Sequence, residues 1–243
     1  MVWDDPSFVT GHPLLVNGDN PAKCGLENFF LGAILNLVIM TQYDMRTIEL
    51  DPGLLSTPFE TQTSWHVLTG AACTGKTTLI NMLADKGFQI VPESARIYFE
   101  QEMAKGYSLE ELRADGPALQ RGIAALQLEF EHGVRAGNVV FLDRAIPDSL
   151  AFYRIHGMDP NEILPECFHH RYASVFILDR LPLHRDQTLG PEDNAASDFL
   201  DEWLERDYRA LGYRVVRVPV MPPEERLEFV MEHLMIPYCD VRR

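Results

Sequence analysis

From residue 64 onward, short apolar runs alternate with segments that have helical spacing. The apolar runs predict five strands, at residues 65–70, 88–91, 139–142, 173–178 and 214–218. Helices are predicted at residues 76–86, 94–104, 117–135 and 195–210, with a short helical piece within 106–115, a polar loop at 181–194 and a last helix from Pro222-Pro223. Such alternation is typical of a parallel sheet with helices on both faces. We therefore predict a three-layer α/β/α fold around a five-stranded parallel sheet.

Residues 1–62 have a different pattern, with Gly, Pro and Asn breakers and one apolar run at residues 29–40. The run is too short to span a bilayer, which takes roughly 20 residues. Acidic residues outnumber basic ones before it, so we expect no secretory signal. Either the run is a helix packed on the domain, or it is upstream sequence and Met40 or Met45 is the true start. We divide the chain into an irregular N-terminal extension, 1–62, and a domain, 63–243.

The formal net charge of −15 argues against a general nucleic-acid binder, because phosphate backbones require a basic face. A local basic pocket for a nucleotide is compatible with this charge. The four cysteines are widely separated and form no C-x-x-C pair, so neither a zinc site nor a redox motif is predicted. Because cysteines are few, we expect a reducing compartment and a cytoplasmic protein. We expect no membrane span, because the apolar run at 29–40 is too short.

A glycine-rich motif lies between the first predicted strand and the first predicted helix. It fits G-x-x-x-x-G-K-[ST] at every fixed position, and the flanking strand and helix disfavour a chance glycine turn. Backbone N–H groups that turn inward and the helix dipole predict a phosphate site. We expect Lys76 to reach the β- and γ-phosphates and Thr77 to bind Mg²⁺. The expected nucleotide contacts come from Gly70, Ala71, Ala72, Cys73, Thr74, Gly75, Lys76, Thr77 and Thr78.

Polar residues directly after the strands are the other candidates, because ligands of such sheets bind at the carboxyl ends of the strands. Asp143 follows the third predicted strand, where an acidic residue supports Mg²⁺ directly or through water. The Arg144 guanidinium is suited to a phosphate or carboxylate of a second substrate. The alternatives are a helix N-cap for Asp143 and a surface ion pair for Arg144. Asp148 is interpreted as a cap of the next helix.

Glu93 follows the second predicted strand, on the side of the site where an acceptor would bind. A carboxylate there is suited to take a proton from an acceptor hydroxyl or to orient it. Arg96, one helical turn further on, is suited to bind an acceptor anion. The alternative is that Glu93 caps the helix at 94–104 and that Arg96 is solvated.

The loop after the fourth predicted strand carries the cations Arg180 and Arg185. Phosphotransferases often close a basic lid over the triphosphate, because charge spreads over the γ-oxygens in the transition state. Both arginines are therefore candidates for nucleotide contacts. The alternative is a solvated, charged loop.

Two further groups of residues receive structural interpretations. His169-His170 with Cys167 lacks a third spaced ligand, so we interpret it as the surface end of a helix and not as a metal site. Four aromatic residues either line an acceptor pocket or pack in the core, and core packing is favoured for most of them: Tyr98, Phe99, Tyr107 and Tyr153.

Several of these motifs, in this order, resemble a known family. They are Gly70–Thr77, Val91–Arg96 and Phe141–Asp148, with the tail Tyr208–Pro219 followed by Pro223–Arg226. They resemble the predicted ATPases of the AAA-like group related to the NadR ribosylnicotinamide kinase module. The resemblance covers about residues 64–236.

The resemblance implies a P-loop kinase-type fold, with the strand of Asp143 beside the strand of the P-loop. It also implies Mg-dependent binding of a nucleoside triphosphate. By motif position, Gly75, Lys76 and Thr77 are then the phosphate and Mg²⁺ ligands, and Asp143 is the second acidic residue. One segment departs from the family pattern, because Leu189-Gly190 stands where an arginine of a basic lid is expected.

The sequence thus predicts an ATP-binding P-loop protein, an Mg-dependent kinase of a nucleoside- or cofactor-like small molecule. The catalytic candidates are Lys76, Glu93 and Asp143, while Glu93, Arg96 and Arg144 are expected at the acceptor. No N-K-x-D guanine signature follows a strand, so ATP is expected ahead of GTP. The alternative is an ATPase or nucleotide-dependent regulatory protein without phosphotransfer. A nucleic-acid-processing ATPase is disfavoured by the net charge.

Overall fold

A computed structural model describes residues 45–182 and 191–234, except for the side chains of residues 191–194. Its main sheet has five parallel strands in the order β3–β4–β2–β6–β7. Their bounds are β2 Trp65–Thr69, β3 Gln89–Val91, β4 Val140–Asp143, β6 Ser174–Leu178 and β7 Val215–Val218. Two short strands, β1 Thr61–Gln62 and β5 His170–Arg171, pair in a separate parallel ladder. The predicted five-stranded parallel sheet is confirmed.

The described helices lie between the strands, as the sequence pattern predicts. They are α1 Lys76–Asp85, α2 Ser94–Ala104, α3 Leu109–Ala114, α4 Gly116–His132, α5 Asp148–Ile155, α6 Pro191–Ala210 and α7 Pro223–Glu232. Local signals fix several helix ends. Ser108 and Glu111 form a reciprocal capping box at α3, and the Asp115 side chain caps α4.

The core has two main parts, one on each face of the sheet, and a small third cluster formed by Phe99 and Leu119. Alternate residues of β2 divide between the two main parts: Val67 lies in the larger cluster and Leu68 in the smaller one. The larger cluster includes residues of α5 and α6, such as Leu150 and Trp203, and the smaller one is built with α1 and α7. Because successive side chains of a strand point to opposite faces, helices cover both sides and three layers result.

One predicted boundary is wrong. Residues 181–194 were expected to form a polar loop, but α6 begins at Pro191 and so includes residues 191–194. The segment Pro191-Glu192-Asp193 favours a helix start, because proline is tolerated in the first turn and acidic residues complement the helix dipole there. A helix after Asp148 was expected, but without bounds, and it corresponds to α5.

Residues 45–62 contact the domain, whereas residues 1–44 and their apolar run at 29–40 lie outside the described residues. The Arg46 N–H donates to the Arg154 carbonyl at 3.0 Å, and Leu50 is buried in the larger core cluster. The ladder of β1 with β5 adds backbone hydrogen bonds. Within residues 45–182 and 191–234, no helix combines the length and apolar character needed to cross a membrane.

Candidate active site

The loop between β2 and α1 has a backbone shape that requires glycine at two positions. Gly70 has a φ of 141°, and a Cβ there would lie 2.8 Å from the Leu178 carbonyl oxygen. Gly75, directly before α1, has a φ of 83°. Side chains are strained at such positive φ values, so the two glycines of the motif are explained by the backbone. The loop delivers the free N–H groups of the first turn of α1 to the carboxyl edge of the sheet.

Lys76 is buried at the start of α1, and its ammonium lies within the loop. Its Nζ donates to the carbonyl oxygens of Gly70 at 3.0 Å and Ala71 at 2.9 Å. Burial, together with the charge of Arg144, lowers the pKa of Lys76 to about 8, although nearby carboxylates oppose the shift. The ammonium is therefore mostly charged at neutral pH and is suited to neutralise phosphate oxygens.

Asp143 ends β4 beside the P-loop strand, where its Cα pairs with that of Leu68. The residue is 7% exposed, and its Oδ1 has no hydrogen-bond partner among the described residues. Burial, followed by the charge of Glu93, raises the pKa of Asp143 to about 7. A buried oxygen without a partner favours a bound cation or proton. Asp143 and the exposed Thr77 therefore fit the oxygen donor set that Mg²⁺ prefers.

Arg144 joins two carboxylates that come from different elements. Its Nε donates to Glu93 Oε1 at 3.0 Å, and its Nη1 donates to Asp148 Oδ1 at 3.1 Å. The guanidinium carbon lies 5.1 Å from the centre of the Phe152 ring. The residue is buried, which differs from the surface ion pair of the alternative interpretation. Nη2 has no partner among the residues described, so this donor is left for a ligand.

Glu93 occupies the N-cap position of α2, but its side chain makes no cap hydrogen bond. It accepts from Arg144 instead. Burial would raise the pKa of Glu93, yet the charges of Arg144 and Lys76 outweigh it, and the pKa lies below the ordinary value. Arg96 contributes to this shift from the first turn of α2. Glu93 is therefore ionised at neutral pH and is oriented by Arg144.

Asp148 accepts hydrogen bonds from several elements, beyond the helix cap predicted for it. The Thr69 hydroxyl at the end of β2 donates to its Oδ1, and the Tyr208 hydroxyl of α6 donates to its Oδ2 at 2.6 Å. The Ala145 N–H adds a cap bond to Oδ2 at 3.3 Å. Because Asp148 also pairs with Arg144, it fixes the arginine relative to the P-loop strand and α6.

A small cavity borders this cluster, between α2, α4 and α5. Its volume is about 30 Å³, which is room for about one or two water molecules. Gln127 Nε2 donates to Glu131 Oε1 at 3.0 Å, which leaves Gln127 Oε1 buried without a partner in the described chain. Gln120 Nε2 is also buried without a hydrogen-bond partner in the described chain. The lining residues are Glu93, Ser94, Ala95, Gln120, Ile123, Gln127, Arg144, Ala145, Asp148, Ser149 and Phe152.

A family model described as "AAA domain" matches residues 65–226, which is more than half of the chain. The chain belongs to the AAA domain family. No curated protein sequence matches this AAA-domain protein significantly.

Solved structures similar to the AAA-domain protein include those of NadR and of a thymidylate kinase. NadR in complex with NR is 18% identical, with a TM-score of 0.50, over 70% of this chain and 49% of that chain. NadR in complex with NAD and AMP-PNP is 18% identical, with a TM-score of 0.50, over 74% of this chain and 51% of that chain. Thymidylate kinase from Ehrlichia chaffeensis is 15% identical, with a TM-score of 0.51, over 70% of this chain and 97% of that chain.

The AAA-domain protein thus spans about half the length of the NadR chains that it matches. These likenesses confirm the P-loop kinase-type fold, and with the family match they confirm the resemblance to the AAA-like, NadR-related group. The position of the Asp143 strand beside the P-loop strand is also confirmed.

The predicted lid is only partly within the described residues of the AAA-domain protein. The Leu181 N–H donates to the Cys73 carbonyl at 3.1 Å, so the segment after β6 contacts the P-loop. The Arg180 guanidinium pairs with Asp198 of α6 at 2.7 Å. Arg185 and Leu189-Gly190 lie outside the described residues.

The structure distributes the four aromatic candidates away from the cavity. Phe99 and Tyr153 are buried in the core, and Tyr107 is 53% exposed. Tyr98 packs against Gly122 of α4. Phe152, which was not a candidate, lines the cavity instead.

His169 lies between two carboxylates, Glu60 at 3.0 Å and Glu166 at 2.9 Å. These contacts, the first of them the stronger cause, raise the pKa of His169 above its ordinary value. Within the described ranges, no group of three or more His, Cys, Asp or Glu side chains is arranged to hold a metal ion.

Most of the cavity residues of the AAA-domain protein were not site candidates from the sequence, among them Gln120, Gln127 and Phe152. Gln120 and Gln127 lie in the middle of α4, and Phe152 lies in α5. No motif marks them. A polar residue on the otherwise buried face of a helix is the one signal that could have identified the glutamines, and it requires knowing which face is buried.

Proposed function

We propose that this AAA-domain protein is an Mg²⁺-dependent kinase that transfers the γ-phosphoryl group of ATP to a hydroxyl of a small nucleoside- or cofactor-like molecule. One observation carries the proposal: Arg144, held by Glu93 and Asp148, forms a second polar site next to Asp143. Hydrolysis of ATP alone requires no acceptor pocket. The fold of NadR and thymidylate kinase supports the same class of reaction.

In the proposed reaction, the acceptor oxygen bonds to the γ-phosphorus as the bond to the leaving ADP oxygen breaks. Lys76 and the N–H groups of the loop bind the phosphates, and the ionised Glu93 orients the acceptor hydroxyl and receives its proton. Thr77 and Asp143 would hold Mg²⁺, which neutralises charge on the phosphoryl oxygens when bound. Arg96 and the Arg144 Nη2 donor would bind the acceptor, and Arg180 and Arg185 would close over the triphosphate.

The cavity of about 30 Å³ is far smaller than the pockets of roughly 300 Å³ or more that hold small-molecule ligands. An acceptor must therefore separate α2 from α4 as it binds. The small cavity also favours the second candidate function, a nucleotide-dependent ATPase or regulatory protein without phosphotransfer.

The deciding experiment incubates the protein with ATP and Mg²⁺ and a panel of nucleosides and vitamins, with mass spectrometry of the products. NR and NAD, which are bound in the NadR structures, belong in the panel. We expect one acceptor to gain a phosphoryl group. The matched control is Lys76→Ala, which should form no product, beside Lys105→Ala, a surface lysine that should leave the rate unchanged. Slow ATP hydrolysis without any phosphorylated acceptor would reject the kinase in favour of the second function.

We also propose a cytoplasmic location and two parts of the chain, an extension at 1–62 and the kinase-like domain at 63–243. The described cysteines, Cys73 and Cys167, are free thiols, which supports a reducing compartment. The net charge of −15 supports small-molecule partners ahead of nucleic acid.

A further inference from the structure

The last helix of the described chain sends one side chain to the P-loop. Arg226 of α7 is 4% exposed, and its guanidinium donates to three backbone carbonyls. Nε donates to Pro219 at 2.9 Å and Nη2 donates to Asp179 at 3.0 Å, while Nη1 donates to Thr74 within the loop. The first two acceptors follow β7 and β6. Arg226 therefore ties the loop to the ends of two other strands.

The bond to Thr74 fixes one peptide unit of the loop. In a trans peptide the C=O and the following N–H point in opposite directions. With the Thr74 carbonyl held toward Arg226, the Gly75 N–H must point away from the guanidinium. Gly75 has a φ of 83°, and glycine tolerates both signs of φ, so no side chain on the Gly75 side of this peptide opposes its rotation. The glycine of the motif therefore does not select the orientation of the peptide.

The packing at this point is close. A Cβ on Gly75 would lie 3.3 Å from Arg226 Nη1, so the guanidinium lies directly against the glycine. Thr74 is 1% exposed, and its carbonyl would be costly to leave without a donor. The neighbouring Cys73 carbonyl also accepts a protein donor, the Leu181 N–H at 3.1 Å. Donors outside the loop thus hold the Cys73 and Thr74 carbonyls, while Lys76 holds those of Gly70 and Ala71, and loop N–H groups are left for an anion.

We infer that Arg226 is a positioning residue that holds the Thr74–Gly75 peptide with its N–H toward the phosphate, and so sets the affinity of the loop for the triphosphate. The inference rests on the phosphate site of the proposed function. It does not depend on which acceptor is used or on whether phosphoryl transfer occurs.

The test measures binding of ATP and of inorganic tripolyphosphate by calorimetry, without any acceptor, to Arg226→Met and Arg226→Lys. We expect both ligands to lose roughly tenfold or more in affinity with Met, because a charge-assisted hydrogen bond that orients a loop donor is lost. Lysine has one donor centre instead of a fork, so it should restore only part of the affinity. The matched control is Arg171→Met, which removes an arginine that donates to the Gly212 carbonyl at 2.8 Å away from the loop.

Thermal unfolding of each variant shows how much stability is lost, so that a loss of affinity can be distinguished from unfolding. Binding is measured at a temperature below the unfolding transitions of all the variants. Affinity within twofold of the unchanged protein, with a loss of stability like that of Arg171→Met, would overturn the inference. If the Arg226 variants do not fold, NMR of the unchanged protein decides. The Gly75 amide must then shift when tripolyphosphate is added, and no shift there while other loop amides respond overturns the inference. If the unchanged protein binds tripolyphosphate but transfers no phosphoryl group from ATP to any acceptor, only the kinase proposal is rejected, and the inference about Arg226 stands.

Discussion

At the residue scale, the candidate site depends on how buried charges compensate one another. Arg144 is held by Glu93 and Asp148, and the charges of Arg144 and Lys76 keep Glu93 ionised despite its burial. Asp143 has no such partner at its Oδ1, and its pKa is raised to about 7. The two carboxylates thus differ in pKa, because burial and the charge of Glu93 raise the pKa of Asp143, whereas the paired Arg144 lowers that of Glu93.

Glu93→Gln tests the proposed role of the carboxylate. The amide cannot receive a proton and no longer neutralises Arg144, so we expect the transfer rate to fall by about 100-fold while ATP affinity is kept. Steady-state kinetics with a separate ATP titration measure both. An equal loss of rate and ATP affinity would show instead that Glu93 supports the local structure.

His66 predicts a pH dependence of stability that is independent of catalysis. Burial lowers the pKa of His66 to about 4 from 6.5, so the unfolded chain binds a proton that the folded protein does not between these values. Stability should therefore be complete above pH 6.5 and fall as the pH is lowered toward 4, by on the order of 3 kcal/mol for this group. His156, with a pKa lowered to about 4, adds a similar loss.

The variant that measures this effect is His66→Phe, because the ring can keep its contact with Phe141 at 5.1 Å between centroids. Urea unfolding at pH 7 and pH 4.5 should show a smaller difference in free energy for the variant than for the unchanged protein. An identical difference in the two proteins would contradict the assignment.

At the element scale, the sheet order brings the candidate residues together. With β4 beside β2, Asp143 lies opposite Leu68, one residue before the end of the P-loop strand. The cavity that we propose for the acceptor is formed differently, where α2 packs close to α4. Gly122 permits this approach, because a Cβ there would lie 2.5 Å from the Tyr98 ring.

Gly122→Ala should therefore push α2 away from α4. We expect a loss of stability of about 1–3 kcal/mol from overpacking. The KM for the acceptor should change while the affinity for ATP stays constant, since the P-loop lies elsewhere. Tyr98→Ala added to Gly122→Ala removes the clash and should restore stability. If the double variant is no more stable than Gly122→Ala, the contact does not limit the approach of the helices.

At the scale of the whole molecule, residues before the domain boundary that we propose at 62/63 contribute to the core of the domain. Arg154 joins three parts of the chain: its Nε donates to Ile48 at 2.7 Å, and its Nη1 pairs with Asp207 of α6 at 2.5 Å. Leu50 is buried in the same cluster as residues of α5 and α6. The segment 45–62 is thus packed against the domain that follows it in the chain.

Two truncated chains test this contribution. A chain that begins at Met45 should be more stable than one that begins at Thr63 by about 3 kcal/mol or more. The shorter chain loses the burial of Leu50, roughly 2 kcal/mol, and leaves Arg154 with fewer acceptors. Chemical unfolding of both chains measures the difference. Equal stability would show that the domain folds without residues 45–62.

Much of the fold follows from local signals. Short, mostly apolar runs identified all five strands of the main sheet, and the start of α2 at Ser94 agrees with the predicted helix at 94–104. The P-loop motif was recognisable because its glycines answer a local backbone requirement at Gly70 and Gly75. The start of α6 was placed wrongly, since helix-start signals at Pro191 compete with a polar composition that is typical of loops.

The sequence by itself determined the strands, the helices and the phosphate loop, because these depend on residues close together in the chain. Only the tertiary structure decided that Glu93 pairs with Arg144, that Gln120, Gln127 and Phe152 line the cavity beside them, and that Arg226 reaches Thr74. These contacts join residues far apart in the chain. They exist because the sheet order and the packing of helices bring distant segments together, which no local pattern records.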